Sequence, residues 1–295
     1  MTSRPALEFD LDLPATIVEP AVRAALAEDL GVSGDITTDA IVPPDARAWG
    51  VLAARKAGVV AGLKVAEAAF RALDPHVEFR IEIADGRRAP AGAVLARVAG
   101  NARALLSAER VALNFLGRMS GIATLTRAFV DAIAGTKASI VDTRKTTPNL
   151  RPFEKYAVRA GGAKNHRAGL YDAVLVKDNH IVVAGGIGAA IERVRRHVGH
   201  TVKIEVEVDS LEELAEALRY DIDAVLLDNM GPERLAEAVR MVAGRALTEA
   251  SGGVRLDTVR AIAETGVDLI SSGSLTHSAP ALDIGLDFEI AGQER

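Results

Sequence analysis

Cysteine is absent from the 295 residues. That excludes disulfides, cysteine-ligated metals and thiolate nucleophiles outright, and it fits a reducing cytosol. No stretch of eighteen uninterrupted apolar residues occurs, so no membrane-spanning helix is expected. Positive charge is not in excess either: 35 Lys and Arg against 40 Asp and Glu leave a formal net charge of −5. A broad basic surface for nucleic acid is therefore not expected. The stretch Met1 to Pro14 holds Glu8, Asp10 and Asp12 and lacks the basic-then-apolar layout of a secretory signal. The expectation is a cytoplasmic protein that binds neither nucleic acid nor membrane.

What is present is a soluble globular composition, 49% apolar and 25% charged. The length suits two domains, or a barrel with an appended domain. From about Ala138 onward, short β-branched runs end in polar clusters and give way to amphipathic stretches. Ser139-Ile140-Val141 runs into Asp142-Thr143-Arg144-Lys145, and Ala173 to Val176 runs into Lys177. Val202 to Val206 runs into Glu207, Ala224 to Leu227 into Asp228, Ala246 to Thr248 into Glu249, and Val267 to Ile270 into Ser271. Helix-like segments lie between, at Leu211 to Tyr220, Pro232 to Ala243 and Leu256 to Thr265. This alternation predicts parallel βαβ units, and six of them favour a barrel over an open sheet. Barrel chemistry sits at the C-terminal ends of strands, where these polar clusters fall.

The first hundred residues read differently. Ala48 to Val60, Val77 to Ile83 and Ala93 to Val98 look like strands, and Ala61 to Leu73 looks helical, as in a small α+β domain. A long helical stretch from Asn101 to Ala134 follows. Asn101 is expected to cap it, and Gly117 and Gly121 to break it.

The segment from Asp142 to His180 is the richest in chemistry. Its eight cations (Arg144, Lys145, Arg151, Lys155, Arg159, Lys164, Arg167, Lys177) outnumber its four acids by four, within an acidic chain. Such a local cluster points to a small anionic ligand. Arg151, Lys155 and Arg159 are expected on the surface. Arg144, Lys145 and Lys177 sit beside strand ends, where a solvated-face reading fits poorly. Arginine forks suit carboxylates and lysine suits phosphate. His166, beside Arg167, is equally readable as a structural histidine or a hydrogen-bond donor to a carboxylate. Glu205 and Glu207 alternate along one strand and so face one side. With Asp228 they form an acidic, magnesium-compatible group, although one glutamate is expected to pair with Lys177 or Lys203. Ser251-Gly252-Gly253 and Ser272-Gly273-Ser274 follow late strands, where barrel phosphate sites often lie.

The chain resembles the quinolinate phosphoribosyltransferase family over nearly its whole length. The resemblance rests on EDLGVSGDITT (Glu28 to Thr38), ERVALNFLGRMSGIAT (Glu109 to Thr124) and the long DTRKTTPNLRPFEKYAVRAGGAKNHRAGLYDAVLVKDNHI (Asp142 to Ile181). It also rests on IEVEVDSLEE (Ile204 to Glu213), LLDNM (Leu226 to Met230), EASGGV (Glu249 to Val254) and LTHSAPALDIGLDF (Leu275 to Phe288). Ser272-Gly273-Ser274 departs mildly, since the family tends to have a smaller or apolar neighbour beside that glycine.

The resemblance implies an α/β fold: an N-terminal α/β sandwich domain (1–113, with a C-terminal return at 276–295) and an incomplete α/β barrel (114–275). It implies decarboxylating transfer of phosphoribose from phosphoribosyl pyrophosphate to quinolinate. It implies a homodimer with shared active sites, and magnesium as cofactor. By position, Arg144, His166, Arg167 and Lys177 would hold quinolinate, joined by Arg110 from the partner subunit. Thr143, Lys145, Glu207 and Asp228 would serve phosphoribosyl pyrophosphate, with Lys145, Glu207 and Asp228 catalytic and Glu207 and Asp228 serving the metal. Ser251, Gly252, Gly253, Ser272, Gly273 and Ser274 would cradle the 5-phosphate. Three rivals remain at this level. One is a phosphoribosyltransferase for another aromatic acid, including relatives found beside molybdenum transport genes. The others are a Schiff-base aldolase using Lys177 and a non-catalytic metabolite sensor on the same scaffold.

Overall fold

A computed structural model describes residues 12–290. Glu8, Asp10 and the outer limits of the expected first domain lie outside the described residues. The strands, in chain order, are β1 (Arg47–Ala54), β2 (Gly58–Val59), β3 (Glu78–Ile81), β4 (Arg88–Ala89), β5 (Val94–Asn101), β6 (Ser139–Val141), β7 (Val174–Val176), β8 (Ile204–Val208), β9 (Ala224–Asp228), β10 (Leu247–Ser251), β11 (Leu269–Ser271) and β12 (Ile284–Ile290). The helices are α1 (Ala15–Leu30), α2 (Ile36–Ile41), α3 (Leu63–Leu73), α4 (Ala102–Ala132), α5 (Arg151–Ala160), α6 (Asp178–Ala184), α7 (Ile187–His197), α8 (Leu211–Ala217), α9 (Pro232–Val242), α10 (Val259–Glu264) and α11 (Ser274–His277). None is long and apolar enough to cross a membrane.

Two compact units result. Within the described residues the first comprises 12–125, 152–162 and 279–290, and the second 126–151 and 163–278. These limits differ from the expected domain limits in three places, the smallest being a return that begins at 279 rather than 276. The expected division at 113/114 falls inside α4, which runs without interruption. Residues 152–162 join the first unit because the apolar face of α5 packs there. Phe153 meets Phe115 with ring centroids 5.3 Å apart, and Tyr156 donates its hydroxyl to Asp85 at 2.7 Å.

The first unit is built on an antiparallel sheet ordered β12-β1-β5-β3, backed by helices. Helix α3 has a strongly one-sided apolar face: Leu63, Val65, Ala66, Ala69 and Phe70 are buried, as a 3.6-residue period requires. Its start is held by Asp85, which accepts from the backbone N–H groups of Gly62 and Leu63. These satisfy donors that a helix N-terminus leaves open. The strand expected over Ala48 to Val60 is two strands, β1 and β2, separated by a bend at Arg55 and Lys56.

Helix α4 starts as expected, with Asn101 Oδ1 accepting from the N–H of Ala104 at 3.1 Å. Gly117 and Gly121 do not break it. A Cβ at Gly121 would lie 2.0 Å from the carbonyl oxygen of Pro280, and one at Gly117 would lie 3.0 Å from that of Leu282. The glycines therefore admit the returning chain against the helix, a close backbone approach rather than a bend.

The second unit is a parallel sheet ordered β6-β11-β10-β9-β8-β7. The end strands β6 and β7 do not pair with each other, so the barrel is incomplete. At the β6 edge Lys164 forms a parallel bridge to Val141, which holds the chain of the Asn165-His166-Arg167 run beside the end of β6. Short strands and intervening helices follow from the alternation of β-branched runs and amphipathic stretches. In β8, Val206 and Val208 are buried on one face while Glu205 and Glu207 share the other. Ser210 caps α8 by accepting from the N–H of Glu213, and Pro232 opens α9, each a common start signal. All six strands thus bring their polar C-terminal ends to one side of the sheet.

Candidate active site

A cavity of about 450 Å3 opens at those strand ends, a size suited to a small ligand. Nine of the expected residues line it: Thr143, Arg144, Lys145, His166, Arg167, Lys177, Glu207, Asp228 and Ser251. Seven come from the last residues of a parallel strand or the segment just after it, while His166 and Arg167 follow the isolated bridge of Lys164 to Val141. Gly252, Gly253, Ser272, Gly273 and Ser274 are not among the lining residues. They are nonetheless local: Gly252 and Gly253 continue from Ser251 with φ of 88° and 60°, and a Cβ at Gly273 would lie 2.9 Å from Cδ of Lys145. Arg110 is exposed on α4 in the first unit and is not among the lining residues.

The cationic wall is crowded. Burial, and then the neighbouring Arg144 guanidinium, pull the Arg167 pKa below the usual arginine value. Nε of Arg144 is buried without a hydrogen-bond partner. A buried donor left unpaired costs about 1–3 kcal/mol, which an anionic ligand would recover. The loop carrying Arg144 is pinned by Arg151. Its Nε donates to Thr146 Oγ1 at 2.9 Å, and its Nη atoms donate to the carbonyls of Ala168 and Arg144. Arg151 is therefore a half-buried brace rather than a surface charge. Lys155, also expected on the surface, is only 6% exposed, because α5 buries most of its circumference. Arg159 is exposed as expected.

The acidic wall is mostly paired. Lys177 Nζ donates to Glu207 at 2.5 Å, the ion pair anticipated for one of the two glutamates. Lys203 instead pairs with Asp223 at 2.5 Å. Asp228 accepts from the side chain of Asn229. Glu205 is turned to His166, whose Nε2 lies 2.9 Å from Glu205 Oε2 and 3.5 Å from Glu249 Oε2. Nδ1 of His166 accepts the backbone N–H of Arg167 at 2.8 Å, so the ring hydrogen belongs on Nε2, donated to Glu205. Asp142, fully buried beneath, accepts from Asn165 Nδ2 and from the N–H of His166.

Glu249 is the residue that motif reading missed. It is fully buried, it lines the cavity, and neither carboxylate oxygen has a hydrogen-bond partner. Burial, then the Glu205 charge, push its pKa up to about 7, against a smaller opposing pull from His166. The sequence did carry a signal. Ser251 is an expected site residue, and the two-residue period of a strand places Glu249 on the same face. Ser271 and the apolar Leu175 and Leu226, also in the lining, have no comparable mark.

His166, Glu205 and Glu249 present ligand-type atoms within 4.8 Å of one another. A cation there would need the Nε2 lone pair. The Arg167 N–H on Nδ1 leaves Nε2 bearing the hydrogen, so the cluster is arranged to share protons. Glu207 and Asp228, by contrast, offer carboxylate oxygens at the cavity rim, the donors that magnesium prefers.

A family model described as the quinolinate phosphoribosyl transferase C-terminal domain matches residues 122–287, and its N-terminal counterpart matches 35–120. The chain belongs to the quinolinate phosphoribosyltransferase family. A curated relative from Synechocystis, a probable nicotinate-nucleotide pyrophosphorylase (carboxylating), is 45% identical over 278 residues, covering 93% of this chain and 94% of its own. A Bacillus subtilis protein of the same description is 42% identical, covering 90% and 91%. The crystal structure of NadC from Streptococcus pyogenes superposes with a TM-score of 0.92 at 42% identity, covering 95% of this chain and 99% of that one. The incomplete barrel and antiparallel sheet are thus the quinolinate phosphoribosyltransferase architecture.

Proposed function

We propose that this quinolinate phosphoribosyltransferase family member joins quinolinate to phosphoribosyl pyrophosphate. The products are nicotinate mononucleotide, pyrophosphate and carbon dioxide, and the reaction belongs to NAD biosynthesis. The observation that carries the reading is the crowded pair Arg144 and Arg167, with a buried unpartnered guanidinium nitrogen, facing Glu207 and Asp228 across one cavity. Two adjacent guanidiniums suit a planar dicarboxylate. Lys177 adds a third cation, and the partner subunit's Arg110 a fourth. Lys145 and the glycine-serine loops after β10 and β11 serve the pyrophosphate and the 5-phosphate.

The chemistry follows from the charges. The pyridine nitrogen attacks C1 of the ribose as pyrophosphate leaves, and the developing positive charge on the sugar is stabilised by Glu207 and Asp228. The nitrogen has no proton to lose, so this step needs no base. The ring, now quaternised, loses its 2-carboxylate because the electron pair left on C2 sits beside a positive nitrogen. Glu207 and Asp228 would hold magnesium, which when bound neutralises the leaving pyrophosphate. Positioning of the two substrates supplies the remainder, up to ~7–11 kcal/mol in favourable cases.

A homodimer accompanies this reading. Leu170, Tyr171, Val182 and Val183 are each more than 70% exposed, and α6 buries none of its residues within the chain. A second copy would cover that apolar patch beside the open β7 edge. Mixing inactive Arg110→Ala and inactive Lys177→Ala proteins should restore some activity through hybrid dimers. No recovery despite demonstrated subunit exchange would count against sharing. The substrate is tested by calorimetric titration. Quinolinate should bind and nicotinate should bind far more weakly; turnover of nicotinate but not quinolinate would transfer the assignment to the rival aromatic acid.

A further inference from the structure

Loss of the 2-carboxylate leaves a carbon that must gain a proton, and neither substrate brings one. This inference rests on the reaction proposed above. We infer that Glu249 is held as a neutral acid in the cavity wall and donates its proton to the ring carbon that has lost its carboxylate.

The geometry supports the assignment in three ways. Glu249 is fully buried yet lines the cavity, and both its oxygens lack hydrogen-bond partners. An ionised carboxylate so placed would be costly; a protonated one is far less so. Second, burial and the neighbouring charges together favour a proton there. From β8, Glu205 faces it, and from the end of β6, Asp142 adds further negative charge; His166, and Ser271 from β11, pull the other way but are outweighed. The ionisable side chain of β9, Asp228, is two residues further along, in register with Ser251 rather than with Glu249. Lys177 and Glu207 are paired with each other. Third, the other groups that could take the proton are engaged: both oxygens of Asp142 accept hydrogen bonds, Glu205 accepts from His166, and His166 itself, whose acidic neighbours outweigh burial and raise its pKa, has both ring nitrogens occupied. Its Nδ1 is occupied as an acceptor by the Arg167 N–H, and its Nε2 hydrogen is committed to Glu205. The extra proton of the cluster therefore resides on Glu249.

The step balances. The C2–carboxylate bond breaks, carbon dioxide leaves, and the electron pair stays on C2. The O–H bond of Glu249 then breaks, its proton bonds to C2, and its electron pair stays on the carboxylate. Water returns a proton to Glu249 after product release.

The test is Glu249→Gln, which keeps the shape and removes the acid, assayed in single turnover. Pyrophosphate release should stay within about threefold of wild type, because the attack of the nitrogen needs no proton. Formation of nicotinate mononucleotide should fall ~100-fold or more, the range of general acid catalysis. Quinolinate affinity should stay within about twofold. The wild-type rate of product formation should decline as pH rises through about 7, as Glu249 ionises, and Glu249→Gln should lack that decline. Glu249→Asp, which retains an acid, should restore the decline and part of the rate. Equal slowing of pyrophosphate release and product formation, or an unchanged product rate in Glu249→Gln, would overturn the assignment. If Glu249→Gln does not fold, a Glu249→Asp enzyme whose product rate is independent of pH would overturn it as well. A wild-type protein that makes no nicotinate mononucleotide from these substrates would sink the underlying reaction instead.

Discussion

The two units treat their buried polar groups in opposite ways. In the first, buried or half-buried polar side chains are matched internally. Arg118 donates twice to the buried Glu154 and once to the carbonyl of Ala279, Tyr156 donates to Asp85, and Ser120 bonds to both the N–H and the carbonyl of Ala61. In the second, the account is left open. Among the described residues, every buried side-chain polar atom without a partner lies in the second unit, and Arg144, Glu249 and Ser271 all belong to the cavity wall. Unpaired buried groups are selected against in folding, so their concentration at one cavity points to a partner arriving from outside. The first unit matches its buried polar groups internally; the second leaves such groups at the wall of its cavity.

The largest expected effect probes the self-contained side. Arg118→Met removes the guanidinium from a glutamate that is fully buried and should destabilise the fold by about 3 kcal/mol, as breaking a buried pair does. Denaturant unfolding reads this directly. Quinolinate affinity of the folded fraction should change little; a matching loss of affinity would blur the distinction between the units.

On the open side, Arg144→Ala should weaken quinolinate binding about 100-fold or more, near 3 kcal/mol, while leaving phosphoribosyl pyrophosphate affinity within about threefold. Stability should hardly fall, because the lost group was unsatisfied to begin with. Equal loss for both ligands would contradict the division of the cavity.

A smaller effect separates stability from function at Glu249. Its pKa is raised from 4.5 to about 7 in the folded protein, so the folded state binds the proton more tightly than the unfolded chain. That contribution is fully present below the unfolded value of 4.5 and is lost as pH rises through about 7. Glu249→Gln has no such dependence. It should therefore gain on the order of 2 kcal/mol over wild type at pH 8, with the gain vanishing near pH 4. Equilibrium unfolding at the two pH values gives the answer, and a pH-independent difference would remove the neutral-acid reading.

The smallest effect returns to the first unit. Asn101→Ala removes the cap of α4 and the bond from its Nδ2 to the carbonyl of Pro44, and should cost about 1–2 kcal/mol. Unfolding above that range would mean that α4 depends on its start more than on packing along its length.

Much of this division is legible from the residues. The βα alternation after Ala138 gives the parallel unit, and the polar strand ends give seven of the cavity's lining residues, with His166 and Arg167 added by the basic run before β7. Period two along β8 correctly placed Glu205 and Glu207 on one face. What escaped were effects of distant neighbours. Gly117 and Gly121 look like helix breaks because nothing nearby in sequence announces that Pro280 and Leu282 return against them. Lys155 looks solvated because α5 is read one residue at a time, whereas its burial depends on what the helix packs against. Glu249 stayed unassigned because a lone acid in EASGGV acquires its chemistry only when Glu205, Asp142 and His166 close around it.

The central claim is that one cavity brings a dicarboxylate and a phosphorylated sugar together. The direct measurement incubates the purified protein with quinolinate, phosphoribosyl pyrophosphate and magnesium, and quantifies products. The account requires nicotinate mononucleotide, pyrophosphate and carbon dioxide in equal amounts, with Arg144→Ala inactive at the same substrate concentrations. Binding of both substrates without any product, or turnover that ignores the loss of Arg144, would contradict it.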